Sequence, residues 1–211
     1  MKYFEQPIYE QWRQNRLQAI IAHYGKDFFK GKTLLEVGAA NGDFGAIFRK
    51  MGAIVTSYEG RDQNFQELME KNPEQNPKQV DLDSEKFEGD YDIILNVGLI
   101  YHLFNFENHL NNCMDHCKHL ILETEVVDSK RDGYWVECED SNGDQGANVS
   151  NGRITRPNCS YIETMLKDKG FSYEFPKNPK SINTGPWLYD WKRGSINSNT
   201  IGLRQMWYCK K

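Results

Sequence analysis

Four short runs carry the side chains with chemistry to do. They are Glu36 to Asp43 (Glu-Val-Gly-Ala-Ala-Asn-Gly-Asp), Glu59 with Gly60, Asp81 with Leu82, and Asn96 to His102 (Asn-Val-Gly-Leu-Ile-Tyr-His). Each follows an apolar stretch. Gly38, Ala39 and Gly42 are small enough for a ligand to approach the backbone closely. Glu36, Asp43, Glu59 and Asp81 surround that approach with negative charge. A dinucleotide fingerprint, G-x-G-x-x-G, would seat a pyrophosphate on the following helix. The glycine spacing fails that pattern, and Asp43 stands near where the pyrophosphate must go. These carboxylates suit a cationic or amine-bearing ligand.

The elements that position these runs can be read from periodicity. Ile8, Trp12, Leu17, Ile20 and Ile21 predict a helix from Pro7 to Tyr24, with Pro7 in the first turn and Gly25 after the last. Residues 33–37 predict a buried strand, 43–50 a helix stopped by Gly52, and 53–58 a second strand. A helix over 63–71, strands over 78–80 and 91–96, a helix over 107–118 and a strand over 119–125 continue the rhythm. Ser160 opens another helix, with Glu163 completing a capping box, and strands follow over 171–175 and 203–209. Such alternation implies right-handed crossovers and a parallel sheet covered on both faces. The expected fold is α/β: a single-domain, Rossmann-like, doubly wound sheet of about seven strands, mostly parallel with an antiparallel last strand, helices on both faces. Residues 1–30 form an N-terminal helical cap. Two stretches break the pattern, 128–157 and 176–202, and both are read as insertions on the substrate side. Asp140 to Gly152 is rich in turn residues, and the whole segment Asp128–Pro157 is read as a substrate lid or as a passive surface insertion.

In an open parallel sheet, ligands sit beyond the carboxyl ends of the strands at the switch point, where all four runs converge. S-adenosylmethionine has the required chemistry: a sulfonium, an amino group, a ribose diol and an adenine, with no phosphate. Residues 34–45 (Leu-Leu-Glu-Val-Gly-Ala-Ala-Asn-Gly-Asp-Phe-Gly) resemble motif I of the class I S-adenosylmethionine-dependent methyltransferases, E/D-x-G-x-G-x-G, with Ala40 at the middle glycine. Glu59, 21 positions after Gly38, matches the family's ribose-binding acid. The resemblance covers roughly residues 30–125. It implies cofactor contacts from Glu36, Gly38, Ala39, Asn41, Gly42 and Phe44, from Glu59 and Gly60, from Asp81 and Leu82 around the adenine, and from Asn96, Val97 and Gly98 along the methionine. Gly98-Leu99-Ile100-Tyr101-His102 with Leu122-Glu123-Thr124 is also similar to the tRNA wobble-uridine carboxymethyltransferases. Those enzymes are longer and basic, so the similarity is read as shared ancestry of the cofactor core.

Methyl transfer to oxygen usually requires a proton acceptor, and His102, Glu123 and then Glu125 are its candidates. Tyr101 is either a participant or a wall of the pocket, and His102 could instead cap the next helix. Arg153, Arg156, Trp187 and Tyr189 are the expected substrate contacts, although the aromatic excursion could equally be a plug over the last strands. Trp12, Tyr9 and Phe4 read as a packing stripe before a substrate platform. The chain has 26 Lys+Arg against 30 Asp+Glu, a net charge of -4, which argues against a sequence-blind nucleic-acid binder. A small-molecule or glycan O-methyltransferase is therefore favoured over an RNA-modifying enzyme or a non-catalytic cofactor-binding protein. Five cysteines at irregular spacing suggest free thiols in a reducing cytoplasm, and the N-terminus lacks an apolar signal region. His109, Cys113, His116 and Cys117 share one helix face without a second CxxC, so no metal is expected. No apolar run is long enough for a membrane span.

Overall fold

The computed structural model describes residues 6–129, 135–139, 153–196 and 202–211. Helix α1 runs Pro7–Tyr24, with Pro7 in the first turn, and Gly25 at φ 79° accepts the chain reversal at its end. Then follow β1 (Thr33–Val37), α2 (Asp43–Lys50), β2 (Ile54–Glu59), α3 (Asp62–Lys71), β3 (Pro77–Gln79), β4 (Tyr91–Val97), α4 (Phe106–Asp115), β5 (Cys117–Glu125), β6 (Trp135–Glu139), β7 (Arg153–Pro157), α5 (Cys159–Asp168), β8 (Ser172–Glu174) and β9 (Arg204–Lys210). Seven strands form one sheet in the order β3-β2-β1-β4-β5-β9-β8. β9 runs antiparallel to both its neighbours, and the other pairs are parallel. This is the expected Rossmann-like architecture.

Alternation along the strands sorts side chains onto two faces. Leu34, Val55, Ile93, Leu95, Ile121, Met206 and Tyr208 pack with α1 and α2. Leu35, Val37, Ile94, Leu120, Leu122 and Trp207 pack with α4 and α5. The same parity puts Glu36, Ser57, Glu59, Glu123, Glu125 and Arg204 on the α1 face, and Asn96 on the α4 face.

Three sequence expectations are corrected. The helix predicted over 107–118 stops at Asp115, because Cys117 pairs with Tyr91 and His119 with Ile93 in the sheet. Residues 128–157 are not without elements: β6 and β7 form an antiparallel ribbon, Trp135 opposite Pro157 and Glu139 opposite Arg153. Trp135, Val136, Ile154 and Thr155 are strand formers at its core pairs, masked in the sequence by the turn residues between. Within the expected lid, 128–157, residues 130–134 and 140–152 lie outside the described residues. The cap of α5 is Asn158, whose side chain accepts from Ser160 N. Glu163 instead receives Arg193 and Trp207 Nε1.

Candidate functional site

The chain leaves β1 for β2 and β3 on one side and returns to β4 on the other. The crevice between the β1 and β4 loops is thus the switch point, and in register Val37 lies beside Tyr58 and Asn96. Gly38, Ala40 and Gly42 take positive φ, 68°, 51° and 81°. Gly38 N and Ala39 N donate to Tyr58 O, and Gly42 N donates back to Ala39 O, which fixes a tight loop over the end of β2. Glu59 holds this loop from below: its Oε2 accepts from Ala40 N at 2.8 Å and its Oε1 from Arg61 N at 2.9 Å. Burial raises its pKa against those bonds. The Asn64 side chain also bonds this carboxylate, which leaves about one acceptor site for a further donor.

Ala40 stands at a glycine position of the motif and pays for it in geometry, since an L-residue with a left-handed backbone costs about 1 kcal/mol. Ala40→Gly should therefore leave stability in a urea melt unchanged or raise it by up to ~1 kcal/mol. A loss greater than that would contradict this loop conformation.

Glu36 is buried and faces α2 from beneath the loop. Its Oε2 accepts from Gly45 N, and lies 3.2 Å from Ser57 Oγ, which also lies 2.7 Å from Gln75 Oε1. Ser57 has one proton for two acceptors. A protonated Glu36 resolves this by donating to Ser57, which donates on to Gln75, whose amide donates to Gly42 O. Burial pushes Glu36 up to about 8 from 4.5. The folded state thus holds a proton that the unfolded chain releases, so this contribution is complete below about 4.5 and is lost as pH rises through about 8. Glu36→Gln, which mimics the protonated acid, should gain melting temperature relative to wild type as pH rises across that window. A constant difference would show that Glu36 is ionised in the fold.

The other expected cofactor positions divide between crevice and core. Asp81 turns back on its own loop, accepting from Asp83 N and Ser84 Oγ, while Leu82 is buried. Asn41 is buried, and its carbonyl accepts from Asn72 Nδ2. Phe44 is buried under α1, with Arg16 5.3 Å from its ring. Gly60 follows Glu59 and is partly exposed; Val97 is partly buried on the α1 face. Asn96 points away, donating to His109 Nε2 at 2.9 Å. His109 must donate through Nδ1 to Leu82 O, so its Nε2 lone pair is the acceptor, and burial holds its pKa down at about 4. That ring and the buried Cys113 thiol are part of the α4 contact with the sheet. Gly98 takes φ 76°, which strains any L side chain, and a Cβ there would lie 3.1 Å from Arg16 Nη1, close enough that the guanidinium would have to shift.

The candidate chemical residues gather in one buried network. Glu123, with no exposed surface, receives Arg16 Nη1 at 3.0 Å, Tyr189 Oη at 2.8 Å and Arg204 Nη1 at 3.4 Å. Trp12 Nε1 donates to Tyr189 Oη, and Trp12 stacks on Trp187 at 4.3 Å. Arg204 Nη2 donates to Tyr101 Oη at 3.0 Å and lies 3.5 Å from Glu125. Arg156 Nε donates to Glu125 Oε1 at 2.7 Å. His102 packs on Tyr101, and its buried Nδ1 has no hydrogen-bond partner among the described residues. Burial, then Arg204, Arg156 and Arg61, hold His102 down at about 3, so it is neutral. The ribbon strand β7 lies against residues 100–102. The Arg153 side chain lies outside the described residues. Tyr189 is thus a buried anchor, and Trp187 covers it.

Arg16 and Arg204 were missed in the sequence, although Arg16 sits in phase with Trp12 and Ile20 on an otherwise apolar stripe. An arginine on the buried face of a helix is the signal that could have found it. Arg13 ties the same helix to Asp43 at 3.1 Å, and Asn15 ties it to Thr184 at 2.9 Å. Helix α1 therefore roofs the crevice from the cofactor loop to Glu123.

A family model described as a methyltransferase domain matches residues 9–174. No curated protein matches the sequence. Among solved structures, the N-terminal domain of EvdMO1, crystallised in the presence of S-adenosylhomocysteine and D-fucose, is similar with a TM-score of 0.68 at 19% identity, over 93% of this chain and 82% of that one. An S-adenosylmethionine-dependent methyltransferase from Mesorhizobium loti gives 0.65 at 11% identity, over 93% and 98%. Magnesium protoporphyrin IX methyltransferase from Synechocystis PCC 6803 gives 0.64 at 14% identity, over 100% and 88%. At such identities these likenesses speak to the fold, whereas the family match spans most of the chain and includes every strand-end loop of the crevice. The chain belongs to the class I S-adenosylmethionine-dependent methyltransferases.

Proposed function

We propose that the protein methylates an oxygen atom of a small molecule or glycan. The observation that supports this reading is the packing of α1 and the Trp187–Tyr189 excursion over Glu123, with Trp12 stacked on Trp187, and of β7 against residues 100–102, which together cover the β4 and β5 ends with aromatic side chains. An enclosed aromatic site suits a compact acceptor, whereas an RNA substrate calls for a basic tracking surface, and this chain is net acidic. The N-terminal domain of EvdMO1, similar in fold, was crystallised in the presence of D-fucose, a compact sugar.

The positive-φ loop at Gly38, the acid at Glu59 and the side-chain-free backbone at Gly98 fit an adenosyl cofactor. S-adenosylmethionine would supply an activated methyl group on a sulfonium. Glu59 would accept from the ribose hydroxyls, with Gly60 beside it. Gly38, Ala39, Asn41 and Gly42 would present backbone to the ligand, and Phe44 and Glu36 would support them. Asp81 and Leu82 would border the adenine, and Val97 with Gly98 the methionine. Trp187 and Arg156 would border the acceptor. Glu123 would order Arg16, Arg204 and Tyr189 as their shared counter-ion. The chain's contribution to rate would be positioning and exclusion of water. Incubation with labelled cofactor and separated metabolite, glycan and RNA fractions should label the metabolites or glycans. Label in RNA alone would favour the RNA-modifying alternative.

A further inference from the structure

His109 is a buried imidazole that bonds two strand-end loops at once. From α4, its Nδ1 donates to Leu82 O at 3.0 Å, in the loop after β3. Its Nε2 accepts from Asn96 Nδ2 at 2.9 Å, at the end of β4. Leu82 O can only accept, so Nδ1 carries the proton. Burial holds the ring down at about 4, so near neutral pH Nε2 keeps its lone pair for Asn96. The line therefore runs one way, and at a cost: Asn96 Oδ1 is buried with no hydrogen-bond partner among the described residues. A ring that only filled space could be apolar, as the buried Leu110 and Met114 of the same helix are.

The bond from His109 completes the fixing of Leu82. Its side chain is buried, and the next N–H along the chain, Asp83 N, donates to Asp81 Oδ1 at 3.1 Å. The buried Asp83 carboxylate accepts from Phe104 N and Asn105 N at the start of α4, at 3.3 and 2.8 Å. With its side chain, its carbonyl and the following peptide held, the direction of the Leu82 N–H is held too. That N–H has no acceptor among the described residues; the last pairing bond along this edge is Val80 N to Glu59 O. An unused donor thus stands next in sequence to the partly exposed Asp81 carboxylate, an acceptor. Adenine presents the complement, an exocyclic amine beside the N1 lone pair. Hypoxanthine presents the reverse, a ring N–H beside a carbonyl.

We propose that His109 is a positioning residue that sets the choice of cofactor base: by holding Leu82 O it fixes the Leu82 N–H for adenine N1, so that the site selects an adenosyl over an inosyl ligand. The proposal rests on the methyltransferase reading above. The ring itself makes no bond to the cofactor. A site built to hydrogen-bond one edge rejects the mismatched edge, because groups on both sides are then left unpaired.

Titration calorimetry of the full chain with S-adenosylhomocysteine and with S-inosylhomocysteine reads the selectivity. Wild type should bind the adenosyl ligand tighter by about tenfold or more. His109→Asn places an amide nitrogen where Nδ1 was, keeping the bond to Leu82 and giving up Asn96, and should retain the preference. His109→Gln places its amide near the Nε2 position, keeping Asn96 and giving up Leu82, and should lose the preference; His109→Phe makes the same comparison if the glutamine variant does not fold. Met114→Ala loosens the same helix without touching Leu82, and its preference should stay at the wild-type value. Equal binding of the two ligands by wild type overturns the proposal. So does a wild-type preference in the folded variant that lacks the Leu82 bond, or an equal loss in His109→Asn or in Met114→Ala. Failure of wild type to bind either ligand would instead overturn the methyltransferase reading.

Discussion

Glu123→Ala should destabilise the protein by about 3–5 kcal/mol, because removing one partner of a buried ion network leaves the others uncompensated. Glu123 has no exposed surface and is the shared acceptor for Arg16, Arg204 and Tyr189. Without it, Arg16 and Tyr189 lose their acceptor beneath Trp12 and Trp187, and Arg204 keeps only Tyr101 and Glu125. At roughly 2–4 °C per kcal/mol for a chain of this size, the melting temperature should fall by about 6–20 °C. Adding Arg16→Met to Glu123→Ala should recover part of the loss, since it removes one of the stranded charges. Calorimetric melts of the two variants and wild type provide the check. A loss below ~1 kcal/mol for Glu123→Ala would mean that the network is open to water.

Glu59→Ala should weaken S-adenosylhomocysteine binding by about 1.5–3 kcal/mol, roughly 10- to 150-fold, the worth of hydrogen bonds to a charged acceptor. The carboxylate has two tasks. It would accept the ribose hydroxyls, and it already fixes Ala40 N and Arg61 N, so its loss also slackens the loop that receives the ligand. Isothermal titration measures the effect. An unchanged dissociation constant in a folded variant would place the ribose anchor elsewhere.

The parts of this molecule legible in the sequence are those governed by local rules. Pro7 and Gly25 bracket α1, and the spacing of apolar residues set α2 and β1 at the bounds observed. Strand ends could be read because polar residues follow apolar runs, and this brought Gly38, Glu59, Asp81 and Gly98 to one edge of the sheet. Long-range pairings were not legible. Arg16 meets a carboxylate 107 positions away, and Arg204 meets Tyr101 103 positions away. Nothing in a local pattern says that a buried arginine will answer a strand-end glutamate. Asn96 looked like a crevice residue because it begins the polar loop, but strand parity turns its side chain to His109 on the opposite face. The β6–β7 ribbon was hidden for a similar reason: its pairing joins residues as far apart as Trp135 and Pro157 across a turn-rich stretch.

An adenosyl cofactor should occupy the crevice between the β1 and β4 loops, and a crystal structure of the complex with S-adenosylhomocysteine would show it. Ribose hydroxyls are expected on the Glu59 carboxylate, backbone of the Gly38–Gly42 loop against the ligand, and the methionine end beside Gly98 and Arg16. A ligand bound away from Glu59 and Gly98 would contradict it.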